Sequence, residues 1–231
     1  KAFITNSPYA ATFLVAAKTD MEAKGSRGIS VFIVPAGTPG LEVGKPEQKM
    51  SNRSSYSCPL TFTDVRIPKE NLLGELNRGF PLFMKCVDDG RVAISAVAVG
   101  MAQGVLERAA KYSKERVTFG KPIASRQAIK FKLADMEIRL QTARAQLFYN
   151  AQLIDKGIYD GMLGSVTKTC VSEMVFDVAN QALQIFGGYG YSREYPVEKL
   201  LRDARIFSLF EGTNEIQRMI IGGTLVPKKR N

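Results

Sequence analysis

The 231-residue chain contains no histidine and no tryptophan, and only three cysteines. Without imidazole, Ser-His-Asp and Cys-His catalysis and His-rich metal sites are excluded. Any proton transfer must then fall to Asp, Glu, Lys, Tyr or Cys. Cys58, Cys86 and Cys170 are odd in number and far apart, so they suggest neither a metal box nor a disulfide framework; a reducing compartment is expected. No apolar run approaches the roughly 20 residues of a membrane span, and no such span is expected. The chain starts at Lys1 on an apparent strand, without a Met, and reads as a piece of a longer protein.

Charge of one sign is in excess: 32 Lys and Arg stand against 22 Asp and Glu, a formal net charge of +10. Residues 1–75 carry +2 of it and residues 76–231 carry +8, of which the tail Lys228-Lys229-Arg230 supplies three. The remainder is interleaved with Glu and Asp along helical segments, as on a solvated helix surface. A phosphate-bearing partner, whether nucleic acid or a phosphate-rich cofactor, is the sharper reading. The aromatic residues do not interleave with Lys and Arg as single-stranded nucleic acid binding requires, so no nucleic acid is expected.

The chain changes character near residue 75. Before it, β-branched and aromatic runs at 2–5, 12–17, 29–34 and 60–63 are broken by turn residues, predicting antiparallel β structure. After it the period becomes helical. Val87, Arg91, Ile94, Ala98, Met101, Val105 and Ala109 form one stripe, ending near Arg116. A second stripe runs Ile129, Leu133, Met136, Leu140, Ala143, Leu147, Ala151 and Ile154, and Gly157 ends it. A third, over 159–185, places Met162, Val166, Cys170, Val178 and Ala182 on its apolar side. Shorter helices are predicted at 196–205 and 214–221. The expected fold class is α+β: part of an antiparallel β domain, 1–75, followed by a helical domain, 76–231, packed as a four-helix bundle.

Four segments resist explanation as core. Arg116-Val-Thr-Phe119-Gly120-Lys-Pro122-Ile, followed by Gln127, joins the two longest helices. It fits an interhelix turn, or an Arg clamp for phosphate or carboxylate. Gln184-Ile-Phe186-Gly187-Gly188-Tyr-Gly190 follows a helix and fits a C-terminal cap, or a close backbone approach to a ligand. Its position and spacing differ from the strand-to-helix dinucleotide fingerprint. In Phe210-Glu211-Gly212-Thr213-Asn214-Glu215, Thr213 or Asn214 can cap a helix with Glu215 in its first turn. Glu211, outside that helix, is either an ordinary exposed acid or a partly desolvated general base. Asp88-Asp89-Gly90-Arg91 supplies either a surface ion pair or an Asp/Arg pair facing a ligand.

Taken together and in this order, the segments resemble the acyl-CoA dehydrogenase family. Lys1-Ala-Phe3-Ile4-Thr5-Asn6 is similar to its K-x-W-I-T-N strand, and residues 87–91 to its L-D-x-x-R helix start. Residues 116–123 are similar to R-x-x-F-G-x-P-I, 184–190 to Q-I-x-G-G-x-G, 201–205 to L-R-D-A-R and 210–218 to Y-E-G-T-x-x-I-Q-R. The likeness covers essentially the whole chain, without the family's N-terminal helical domain and the first strands of its β domain.

The resemblance implies FAD-dependent oxidation of an acyl-CoA thioester to the trans-2-enoyl-CoA, with a carboxylate removing the α-proton and a β-hydride passing to the flavin. It implies Glu211 as the base, since the alternative position used by some relatives is Gly90 here. It also implies a thioester-carbonyl hydrogen bond from the Glu211 backbone N–H, and Asp88, Arg91 and Gly212 near the acyl-CoA. Phe3, in place of the usual Trp, and Thr5 match flavin contacts. Arg116, Phe119, Gln127, Gln184, Gly187 and Gly188 match residues reaching the FAD of a neighbouring subunit; Thr213 and Glu215 match contacts to the FAD of their own site. A homo-oligomer follows, a tetramer made of two dimers, with electron-transferring flavoprotein as partner and no metal. An acyl-CoA oxidase of the same fold is the alternative, and a non-enzymatic basic helical binding protein a more distant one. Ser51 stands where the family has Gly, which alters a turn. The compartment expected is the bacterial cytoplasm or the mitochondrial matrix, and the chain alone is expected to hold FAD weakly and to be inactive.

Overall fold

Side chains alternating across a pleated surface build the longest ladder. β2 (Thr12–Lys18) pairs antiparallel along its whole length with β3 (Ile29–Pro35), setting Phe13 opposite Val34 and Val15 opposite Phe32. This register buries Phe13 and Val34 on one face, where Leu60 joins them. In the computed structural model, which describes residues 1–226, three further antiparallel pairings complete this region. β1 (Ile4–Thr5) pairs with β5 (Ser57–Cys58), β4 (Leu41–Val43) with β6 (Leu60–Phe62), and β7 (Leu72–Leu73) with the far edge of β3. At the position where a turn was expected to change, Ser51 is buried and the left-handed residue is its neighbour Asn52, φ 48°. The basic tail Lys228-Lys229-Arg230 lies outside the described residues.

The helical region follows. α1 (Gly79–Glu115) and α2 (Gln127–Asp155) are joined through a small hairpin, β8 (Val117–Thr118) and β9 (Lys121–Pro122). α3 (Gly161–Phe186) packs against α2, α4 (Val197–Ala204) and α5 (Asn214–Leu225). Asp160 caps α3, its carboxylate accepting from the backbone N–H of Met162 and Leu163 at 2.9 and 3.1 Å. The core is one apolar cluster: Ala98, Ala102 and Val105 of α1, Met136 and Leu140 of α2, and Val171, Val175 and Val178 of α3. The expected α+β order, antiparallel strands and then helices, is what forms.

The chain divides into two compact units, Lys1–Val87 and Asp88–Asn231. The division falls inside α1, later than the change of period near residue 75. Hydrogen bonds at the entry to the helix explain the difference: the Asn77 N–H donates to Ser30 Oγ at 2.7 Å, and the Thr19 hydroxyl to Asn77 Oδ1 at 2.6 Å. The entry to α1 is thereby tied to the β region.

By length and composition α1 is long and apolar enough to cross a membrane, with a window of mean hydropathy 1.3. Its apolar stripe Ala98, Ala102, Val105 and Ala109 is, however, buried in the protein's own core, beside buried Arg91, Ser95 and Ser113.

Candidate functional site

The helical unit gathers most of the singled-out residues into two separate places. The first is the turn entering α5. Glu211 and Gly212 are consecutive left-handed residues, φ 53° and 84°. For Glu this conformation is strained, and it persists only if the surroundings impose it. They do so through the carbonyls. Gln217, completely buried, donates from Nε2 to Glu211 O at 3.2 Å and to Gly212 O at 3.0 Å. Lys168, 1% exposed, donates from Nζ to Gly212 O and to Asn214 Oδ1, both at 2.8 Å. A Cβ added at Gly212 would sit 2.6 Å from Gln217 Nε2, so that amide would have to shift from the carbonyls it holds, and the φ of 84° favours glycine by itself.

Both carbonyls of the turn thus bond to the interior, and the Glu211 N–H has no acceptor among the described residues. The Glu211 carboxylate lies against α1: a Cβ added at Gly90 would sit 3.1 Å from Oε2. Glu211 itself is exposed, so the described residues do not supply the partial desolvation considered for it. Thr213 is the cap of α5, accepting from the Ile216 N–H at 3.4 Å. Asn214 is instead buried, accepting from the Ser172 hydroxyl at 3.0 Å and donating to Glu173 at 3.3 Å. The Glu215 carboxyl is held below its usual range by hydrogen bonds from its own N–H and the Thr213 hydroxyl. It lines a different, smaller cleft of about 270 Å³ with Glu173, Arg205 and Arg218.

Arg91 belongs to the first place. It is 2% exposed, donates from NH1 to Asp88 Oδ1 at 2.6 Å, and passes close to Gly212. Asp88 and Arg91 are therefore an ion pair whose Arg is buried and whose Asp is part-exposed, and Arg91 Nε is buried with no acceptor among the described residues. An orphaned guanidinium N–H of this kind calls for a bound water or ligand atom. Burial, and next the nearby Arg91 charge, push the Lys168 amine down to about 8; Glu211, Glu215 and Glu173 pull the other way.

The second place is a cleft of about 600 Å³ beside the β8–β9 hairpin, lined by Tyr112, Arg116, Ile123, Phe186, Gly187 and Gly188 among others. Its floor is aromatic: Tyr112 stacks on Phe186 at 3.9 Å between centroids, and Tyr195 meets both rings edge-on. Burial pushes the Tyr112 hydroxyl up. Arg116 lies over the Tyr189 ring at 5.0 Å. Gly187 ends α3 at φ 62°, and a side chain at Gly187 or Gly188 would meet only open space. The backbone there is bare to an approaching ligand. Phe119 stands 95% exposed at the hairpin tip, with Arg126 over its ring at 5.2 Å. Gln184, in the last turn of α3, and Gln127, first residue of α2, are exposed. On the β unit, Phe3 is exposed at φ 54° and Thr5 is exposed on β1 opposite Ser57.

Sequence reasoning missed Lys168, Gln217 and Asn214 as holders of the Glu211 turn. A signal existed for the first: the small residues Gly164, Ser165, Thr167 and Ser172 surround Lys168 on one helix face, and all are buried. The expected apolar positions Met162, Val166 and Cys170 are only half-buried. In this half of α3 the polar side faces inward, because its partners are hydrogen-bonding groups of the turn.

Residues 1–65 match the acyl-CoA dehydrogenase middle domain, and residues 77–226 match the acyl-CoA dehydrogenase C-terminal domain. The chain is 44% identical over 226 residues to the short-chain specific acyl-CoA dehydrogenase of Megasphaera elsdenii, covering 98% of this chain and 59% of that protein. It is 43% identical over 228 residues to a caffeyl-CoA reductase-Etf complex subunit of Acetobacterium woodii, covering 99% and 60%. The solved structure of butyryl-CoA dehydrogenase from Megasphaera elsdenii matches with a TM-score of 0.94 at 44% identity, over 98% of this chain and 59% of that one. The chain thus spans about three-fifths of the length of these relatives.

Proposed function

Because this chain belongs to the acyl-CoA dehydrogenase family, we propose that the protein containing it oxidises an acyl-CoA thioester to the trans-2-enoyl-CoA, with Glu211 as the base. The observation that carries the reading is the Glu211–Gly212 turn. It offers a carboxylate and an N–H that has no acceptor among the described residues, both from the same residue, with both carbonyls of the turn taken up by Gln217 and Lys168.

The proton chemistry follows from those two groups. A thioester carbonyl accepting from the Glu211 N–H has its developing negative charge stabilised, which acidifies the adjacent α-carbon; such donors contribute about 3 kcal/mol to the barrier. A Glu211 carboxylate oxygen takes the α-proton, a step for which a positioned base contributes roughly 10²–10⁴-fold. Gly90 leaves room for that carboxylate and has no acid of its own to compete. Asp88, Arg91, whose Nε has no acceptor among the described residues, and Gly212 are the proposed substrate contacts on this side.

The residues present fit FAD. The bare backbone at Gly187 and Gly188 allows close approach, and the Arg116 guanidinium is suited to a pyrophosphate. When bound, FAD supplies the acceptor for the hydride that leaves the β-carbon. Phe3 and Thr5 are proposed flavin contacts, with Thr213 and Glu215 for the FAD of their own site. Arg116, Phe119, Gln127, Gln184, Gly187 and Gly188 are assigned to the FAD of a neighbouring subunit. The assembly proposed is accordingly a tetramer made of two dimers. The exposed apolar side chains Phe131, Ile138 and Phe148 along α2 suit an interface. Electron-transferring flavoprotein is the proposed electron acceptor, and bacterial cytoplasm and mitochondrial matrix both suit the reaction.

The test is Glu211→Gln in the full-length flavoenzyme, read as bleaching of the flavin by butyryl-CoA. Loss of about 10²-fold or more in the reduction rate is expected; near-unchanged bleaching removes Glu211 as the base. Rapid peroxide formation without electron-transferring flavoprotein would move the assignment to the oxidase of the same fold.

A further inference from the structure

We propose that Lys168 is the positioning residue of the Glu211 base. The proposal rests on the reading of Glu211 given above and names what holds that residue in its strained conformation. Lys168 comes from the first third of α3, is 1% exposed, and makes two hydrogen bonds to the turn: Gly212 O and Asn214 Oδ1, each at 2.8 Å. The Ser172 hydroxyl, one helical turn further on, bonds the same Asn214 oxygen at 3.0 Å. Gln217 bonds Gly212 O as well, at 3.0 Å. The carbonyl after Glu211–Gly212 is thus held jointly by α3 and α5, and the left-handed backbone of both residues follows from where that carbonyl is pinned.

An ammonium in this position is costly, because burial removes it from water. Met, an unbranched apolar side chain of similar length, would avoid that cost. The charged groups facing Lys168 are Arg91 from α1, Glu173 of α3 itself, Glu211 from the turn and Glu215 from α5. Arg91 opposes the ammonium and the three acids favour it. What lysine provides and methionine lacks is a donor that reaches Gly212 O.

The experiment uses the full-length flavoenzyme with Lys168→Met and Lys168→Gln, each assayed per bound FAD. Lys168→Met is expected to lower turnover by about 10²-fold, the scale on which misplacement of a reacting group acts, with KM for butyryl-CoA changed less than about threefold. Amide hydrogen exchange of the peptide spanning 209–214 is expected to quicken at the same time. Lys168→Gln, which keeps an N–H donor, is expected to recover part of both. Turnover of Lys168→Met within about threefold of the parent, unchanged exchange in 209–214, or a Gln variant no better than Met would each overturn the proposal. Should Lys168→Met fail to fold, Lys168→Gln is read in its place; failure of both assigns Lys168 to structure alone and overturns it too. Glu211→Gln separates the two claims. If it bleaches normally the base assignment falls, whereas the Lys168 effect on exchange is read independently of any base.

Discussion

The turn at Glu211 and the cleft at Gly187 sit at opposite ends of α3 and are built by opposite means. The turn is held by buried polar side chains: Lys168 reaches across more than 40 residues of sequence to Gly212 O and to Asn214, and Gln217 bonds the same carbonyl from five residues away. The cleft stands on stacked aromatic rings, with bare glycine backbone at its mouth. Directional bonds fix a single backbone geometry, as the proposed base requires, but each one lost leaves a buried group unpaired. Aromatic packing supplies stability without directing anything at the ligand, and leaves recognition to what stands above it. One region should therefore respond to mutation in rate, and the other in stability and cofactor retention.

The sharpest way to break that contrast is Phe186→Ala. It removes the ring stacked on Tyr112, so about 3–5 kcal/mol of stability should be lost in thermal or denaturant unfolding. A loss below about 1 kcal/mol would show that the cleft floor is not aromatic packing in the energetic sense. Next comes Gly212→Ala, which faces both a left-handed backbone and the Gln217 amide at 2.6 Å. Roughly 1–3 kcal/mol of destabilisation is expected, together with loss of flavin reduction out of proportion to it. If rate and stability fall in step, the turn is no more specialised than the cleft.

A third probe is pH. The Lys168 amine in the folded protein lies at about 8, below the 10.5 of a free lysine, so between these values the unfolded chain binds the extra proton. Its contribution therefore makes the protein more stable as pH rises from about 8 towards 10.5, by at most about 1.4 kcal/mol per pH unit, and flat below that window. Comparing unfolding of the parent and Lys168→Met across pH 7–10 should show this slope in the parent alone. The smallest expected change is Gly188→Ala. Open space surrounds the added methyl, so stability should move less than about 0.5 kcal/mol, while FAD is released more readily on gel filtration. Unchanged FAD retention would remove Gly188 from the cofactor site.

How much of this was legible in the sequence differs between the same two regions. The change from period two to period 3.6 announced the α+β order, and the resemblance named Glu211, Arg116 and the paired glycines from residues close together in the chain. Those are local features: a glycine run, a Glu before a capping Thr. Lys168 was not legible by periodicity, because the rule counts apolar residues and assigned Met162, Val166 and Cys170 to the inside. The inward side of that half of α3 is instead decided by acceptors at Gly212 and Asn214, more than 40 residues later. The ion pair at Asp88 was legible as a pair, but not that Arg91 is buried, since depth depends on what the fold lays over it. Glu215 stands only four residues after Glu211 and yet lines a different cleft, a separation that sequence proximity hides.

The left-handed backbone at Glu211 has one more consequence, for the way this protein drifts under mutation. Asn tolerates that conformation better than Glu, and Gly better still. Selection for stability alone would empty the position of its carboxylate, and a stability screen of all twenty residues at 211 should rank Glu below Gly and Asn. With Glu211 as the proposed base, a screen for turnover is expected to restore it. Position 211 therefore separates two kinds of fitness that most residues of a folded chain report as one.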